Sequence, residues 1–164
     1  MNIELRDIKT AAQRLRPILH HTELDLSSTF SSMTGGSIYL KCENRQKTVS
    51  FKIRGARNKI ASLVEQGQVQ SVVASSAGNH AQGVAYAAKK FGIPATIVMP
   101  ESAPIAKVQA TEGYGAKVVL SGSCYDDAYT KAREICDSEG ATFLHPYNDV
   151  DVIAGLGTLG IEIL

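Results

Sequence analysis

The sequence predicts an α/β protein built on a parallel sheet with helices on both faces. Three observations carry this. From about residue 50 onward, short apolar runs alternate with longer helical stretches, the rhythm of βαβ units. The short runs are continuously apolar and β-branched rather than alternating, which suits strands covered on both faces. The helical stretches close on glycines, among them Gly67, Gly92 and Gly115, placed as C-terminal caps.

The elements follow in order. Residues 5–15 read as a helix stopped by Pro17, and a polar Ser/Thr segment, TELDLSSTFSSMTGG, comes next. SIYLKCEN (37–44) reads as a strand. Residues 58–66 form the body of a helix, and QSVVAS (70–75) is a β-branched strand. HAQGVAYAAKKFG (80–92) is an Ala-rich helix. ATIVMP is a strand closed by Pro100, APIAKVQATEGYG a helix and AKVVLSG a strand. CYDDAYTKAREICDSEG is a long helix, with Asp126 and Asp127 in its first turn, where they favour the dipole. ATFLHPY is a further strand, and residues 149–164 open a helix. Its apolar, uncapped end at residues 161–164 leads us to expect a longer protein.

Composition narrows the function. The chain has 164 residues, 44% hydrophobic and 20% charged, which suits a domain with a real core. A net charge of +1 gives no basic excess for nucleic acid. No apolar run approaches the ~20 residues of a membrane helix. Cys42, Cys124 and Cys136 are odd in number and lack CxxC spacing, which fits a reducing compartment and points to the cytoplasm. His20, His21 and His145 are not spaced as a metal set and read as structural or exposed.

Three stretches raise chemistry. SSAGNHAQG (75–83) follows a strand and opens a helix, where hydroxyls, an amide, an imidazole and free backbone N–H groups can cradle an anion. An ordinary strand–helix turn with Asn79 as N-cap reads equally well. In TVSFKIRGARNKI (48–60), Lys52 stands at a helix start among apolar neighbours, with Ser50 as a possible cap. A lysine there opposes the dipole, and apolar surroundings lower its pKa as an amine nucleophile requires. The bland alternative is a lysine that snorkels to solvent. GLGTLG (155–160) matches G-x-G-x-x-G but follows no core strand, so it reads as a Gly-rich turn entering a helix.

SFKIRGA and SSAGNHAQG together resemble the fold-type II pyridoxal-phosphate (PLP) enzymes, specifically the threonine/serine dehydratase branch that includes the serine racemases. TELDLSSTFSS, YLKCEN, IVMPESAPIAKVQATEGYGAKVVL and DVIAGLGT fall in family order around them. The resemblance implies a tryptophan-synthase-β-like α/β fold. Residues 50–150 would form the small parallel-sheet domain, and residues 1–49 and 151–164 would belong to an incomplete second, larger domain. It implies that Lys52 bonds PLP as a Schiff base and moves protons at the substrate α-carbon. Phe51 would pack on the cofactor ring and Asn79 would bind its 3′-oxygen. Ser76, Ala77, Gly78, Asn79 and His80 would hold the substrate carboxylate.

The implied reaction is α,β-elimination of L-threonine or L-serine to 2-oxobutanoate or pyruvate and ammonia. Racemases of this family carry a serine just before Gly-Asn-His. Here Ala77 has no proton to give, which favours elimination over racemisation. The family's Gly-rich phosphate loop and its partner for the pyridine nitrogen lie further along than residue 164. A fragment that folds or associates without catalysis is therefore the alternative. The family also implies a homo-oligomer, dimer or tetramer, and no metal within these residues.

Overall fold

The computed structural model describes residues 2–164. Its centre is a four-stranded parallel sheet in the order β5-β4-β3-β6, formed by β3 (Val72–Ser75), β4 (Ala95–Met99), β5 (Lys117–Leu120) and β6 (Thr142–Phe143). All four residues of β3 are buried, as an interior strand covered on both faces must be, whereas the edge strand β5 is partly exposed.

One face of the sheet is covered by α3 (Lys52–Glu65), α4 (Asn79–Phe91) and α5 (Ile105–Gly113). There Ile53, Ile60, Val84, Ile97, Met99 and Leu144 form the main core, each fully buried. The other face is covered by α6 (Tyr125–Glu139), whose Ala128, Ala132 and Cys136 pack on Val73 and Val98. Gly92 and Gly140 cap α4 and α6 at φ 68° and 64°, in the left-handed region that glycine enters without strain.

The remaining elements lie before α3 and after β6 in the chain. The helix α1 (Leu5–Leu15) begins and ends where the sequence places it. The segment read as polar and unassigned forms β1 (Leu24–Leu26) and α2 (Ser28–Thr34), the latter capped by the Ser27 hydroxyl and closed by Gly35. β2 (Tyr39–Lys41) pairs antiparallel with β1. Two short 3₁₀ turns, Glu43–Arg45 and Lys47–Val49, lead to α3.

GLGTLG is corrected outright: it is not a turn but lies inside α7 (Val150–Ile163). The reason is packing. A Cβ on Gly155 would sit 2.5 Å from the Arg54 carbonyl oxygen, and one on Gly55 would sit 2.8 Å from the Val152 side chain. The glycines let α7 lie on the backbone of α3, at the cost of helix propensity. Gly157 instead makes room for the Ile8 side chain of α1, which a Cβ would meet at 2.9 Å.

Candidate active site

From β3 the chain runs outward through β4 to β5, then returns by α6 to β6 on the opposite side of β3. The strand order therefore reverses between β3 and β6. In an open parallel sheet that reversal leaves a crevice at the carboxyl ends of the strands. β3 ends there at Ser75 and β6 runs out there into Leu144–Pro146.

A cavity of about 480 Å³ occupies this position, lined by Lys52, Ser75, Ser76, Asn79, His80, Tyr125, Pro146 and Tyr147. Its size lies within the usual range for small-molecule sites. The two stretches singled out in the sequence, 48–60 and 75–83, meet in it. Lys52 is the first residue of α3 and Asn79 the first of α4, so two helix N-termini border one cavity.

Lys52 is half-buried, and burial lowers its pKa from the ordinary lysine value. Its Nζ donates to the Pro146 carbonyl at 3.1 Å and lies 5.6 Å from the centre of the Phe51 ring. Among the described residues, no carboxylate lines the cavity to pair with it. The Ser50 hydroxyl accepts the Lys52 backbone N–H at 3.2 Å, although the cap position proper is Phe51. The turn before it is strained: Thr48 and Val49 have φ of 60° and 49°. For a β-branched residue such as Val49 that is a genuine outlier.

The backbone of this lysine is fixed from two sides. A Cβ on Gly83 of α4 would lie 3.3 Å from the Ile53 nitrogen, and one on Gly155 of α7 would meet the carbonyl of Arg54. Arg54 itself is 1% exposed. It forms ion pairs with Glu43 at 2.8 Å and Glu162 at 2.6 Å, and donates to Thr158 at 3.1 Å. Burial alone would lower its pKa, but the two carboxylates outweigh that and raise it. The carboxyls of Glu43 and Glu162 are in turn held below their usual range despite their own desolvation.

At the other side of the cavity, Gly78 rather than Asn79 is the N-cap of α4. Gly78 N–H donates to the Ser76 hydroxyl at 3.2 Å. Asn79 is exposed at the cavity, and the first-turn N–H groups have no intrahelical partners. His80 is 3% exposed, and its Nε2 lies 3.1 Å from the Leu144 carbonyl. Nε2 thus carries the proton and donates. Burial then pushes the imidazole pKa down to about 4, with Lys52 and His145 adding to the effect. The Ser75 hydroxyl and His80 Nδ1 are buried without a partner. Leaving buried polar atoms unpaired is costly.

Of the sequence-predicted residues, Lys52, Ser76, Asn79 and His80 line the cavity, whereas Phe51, Ala77 and Gly78 adjoin them in the chain without lining it. Ser75, read in the sequence as part of the 75–83 cradle, also lines the cavity, whereas Tyr125, Pro146 and Tyr147 were missed as site residues. The rule that strand ends hold ligands, applied to residue 75, applies equally to the end of β6. A second cavity of about 600 Å³ lies by α1 and α7, lined by Leu15, Leu19, Arg54, Ile161 and Glu162. Its buried cation, Arg54, is already paired with Glu43 and Glu162. No group of three metal-capable side chains occurs among the described residues.

The chain is similar to several known proteins. A family model described as "Pyridoxal-phosphate dependent enzyme" matches residues 15–164. An L-threonine ammonia-lyase of Thermotoga maritima is 57% identical over 162 residues, covering 99% of this chain and 40% of that protein. A catabolic L-threonine dehydratase, TdcB, of Staphylococcus aureus is 50% identical, covering 99% of this chain and 47% of that protein. The chain thus spans less than half the length of these relatives. Among solved structures, maize serine racemase superposes with a TM-score of 0.94 at 36% identity, over 99% of this chain and 50% of that one. A threonine deaminase from T.th. gives 0.90 at 41% identity, over 98% and 50%.

Proposed function

Since the chain belongs to the pyridoxal-phosphate dependent enzyme family, we propose that it forms the lysine-bearing part of an ammonia-lyase that converts L-threonine, or L-serine, to a 2-oxo acid and ammonia. One observation carries the reading: an amine of lowered pKa opens onto a cavity whose far wall is a helix N-terminus with unsatisfied polar atoms. The names of the relatives support the choice of substrate.

The residues fit the cofactor. Lys52 Nζ would bond it, the Phe51 ring would pack beside it, and Asn79 would meet its ring oxygen. When bound, pyridoxal phosphate supplies an electron-withdrawing ring conjugated to the substrate α-carbon. Everything else falls to the chain. Ser76, Ala77, Gly78, Asn79 and His80 hold the substrate carboxylate at the positive end of α4. Because its Nε2 is engaged by Leu144, His80 serves chiefly through its backbone N–H. Once the substrate amine has taken its place, Lys52 Nζ, deprotonated more readily than an exposed lysine, would be free to take the α-proton and pass it to the β-hydroxyl, which leaves as water. Ala77 has no group to return a proton from the opposite side, so elimination is favoured over racemisation.

No helix among the described residues is long and apolar enough to cross a membrane. Three unpaired cysteines support a cytoplasmic setting, and a homo-oligomeric parent remains part of the proposal.

The test is an absorption spectrum of the purified chain with added pyridoxal phosphate, alongside Lys52→Ala. A visible band that requires Lys52 and bleaches with threonine is the expected result. A band unchanged in Lys52→Ala refutes the assignment of the lysine.

A further inference from the structure

His145 follows β6 and sits next to the residue that holds Lys52. Its Nδ1 lies 2.8 Å from the backbone nitrogen of Asn148 and 3.3 Å from that of Tyr147. Both are N–H donors, so Nδ1 carries a lone pair and accepts from both. Between His145 and Tyr147 in the chain stands Pro146, which has no N–H and whose carbonyl is the acceptor for Lys52 Nζ.

We propose that His145 is a positioning residue: by accepting the N–H groups of Tyr147 and Asn148, it holds the loop after β6 in the shape that presents the Pro146 carbonyl to Lys52. The same loop is tied upstream by His80, whose Nε2 donates to Leu144. Lys52's acceptor is thus anchored from both sides, once through a carbonyl and once through two amides. The loop also carries Tyr147, which with Tyr125 forms the outer wall of the cavity. Loosening it admits water to the lysine and relieves the burial that lowers its pKa.

A competing role for the ring is purely aromatic. His145 lies edge-on to Tyr147 at 4.7 Å and to Phe143 at 6.2 Å. Two substitutions separate the roles. In His145→Asn, the side-chain oxygen takes the position of Nδ1 and accepts while the ring is lost. In His145→Phe, the ring remains and the acceptor is lost.

The proposal rests on Lys52 being the reactive amine, but its readouts need no cofactor, so failure of the spectral test above leaves them standing. The first is hydrogen exchange of the Tyr147 and Asn148 amides. The second is the titration midpoint of Lys52, from trace acetylation across pH with mass mapping. Thermal midpoints confirm that each variant is folded. His145→Phe is expected to speed exchange of both amides at least tenfold and to move the Lys52 midpoint up towards that of the exposed lysines. His145→Asn is expected to stay within threefold of the wild type in exchange and to leave the midpoint in place. If His145→Phe leaves both amides as slow as the wild type, or if His145→Asn exchanges as fast as His145→Phe, the assignment is overturned. Should His145→Phe not fold, the result with His145→Asn decides alone.

Discussion

Gly155→Ala should destabilise the protein, and the same change at Gly160 in the same helix should not. At residue 155 a Cβ would lie 2.5 Å from the Arg54 oxygen, 2.9 Å from its carbonyl carbon and 2.9 Å from the Asn58 Cβ. Ordinary contact begins near 3.4 Å, and two of the three obstructing atoms are backbone. No rotamer change relieves them, so α7 must withdraw from α3 by several tenths of an ångström. Overpacking of this kind costs about 1–3 kcal/mol, and backbone obstruction argues for the upper end. Alanine's better helix propensity returns about 1 kcal/mol. The balance is a loss of about 2 kcal/mol.

At Gly160 nothing lies within 4 Å, and the residue is exposed, so only the propensity term remains. A gain of roughly 0.5 kcal/mol is expected, reduced from the full value because the position is in the last turn. Urea denaturation followed by circular dichroism measures both. If Gly155→Ala is as stable as the wild type, the close α3–α7 approach is not the reason for that glycine, and packing does not explain GLGTLG.

Three further outcomes follow from the geometry. Arg54→Leu leaves Glu43 and Glu162 without their main cation and should cost about 3 kcal/mol, read by the same denaturation; a loss under about 1 kcal/mol would mean the ion cluster is solvated. His80 is buried neutral with its pKa pushed down to about 4. The unfolded chain therefore binds the extra proton first, and stability falls as pH drops from about 6.5 to 4, by roughly 3 kcal/mol in all. His80→Gln should flatten that slope in urea midpoints taken across the window, and an unchanged slope would place its origin elsewhere. Val49→Gly relieves a β-branched residue at φ 49° that is two-thirds exposed and packs little. It should raise stability by about 0.5 kcal/mol even after glycine's larger unfolded-state entropy, and a fall would show that the turn is not strained.

The parallel sheet and its helices were legible because burial on both faces writes itself as continuous apolar runs, and because Gly92 and Gly140 stop helices in a recognisable way. The site was half legible. Residues 48–60 and 75–83 announce themselves by placing polar groups where a core or a helix would exclude them. Pro146 contributes through its carbonyl, and a carbonyl has no sequence signature. Tyr125 and Tyr147 are ordinary residues until the return of β6 beside β3 brings them to the cavity, which is a fact of topology. GLGTLG was misread for the opposite reason. Glycine is locally a turn former, and its role here is set by Arg54, about a hundred residues earlier in the chain.

Rules of local stability are broken most densely around one point. Val49 is left-handed, Ser75 and His80 hold unpaired buried atoms, and Lys52 loses hydration at a helix start without a carboxylate. Such violations persist where function requires them. For Lys52 the cost can be measured. Its folded pKa lies below the unfolded value of 10.5, so between the two the unfolded chain holds more protons. Stability therefore rises with pH through that window, and at neutral pH the buried ammonium opposes folding. Lys52→Met keeps the apolar stem and removes the charge. Because the side chain is only half-buried, screening limits the gain to a few tenths of a kcal/mol. The variant should be at least as stable as the wild type at pH 7, and that advantage should shrink by pH 10. It should also lose the cofactor band entirely. A variant clearly less stable than the wild type would mean that the lysine stabilises the fold rather than burdening it, and that its place at the cavity needs no functional explanation.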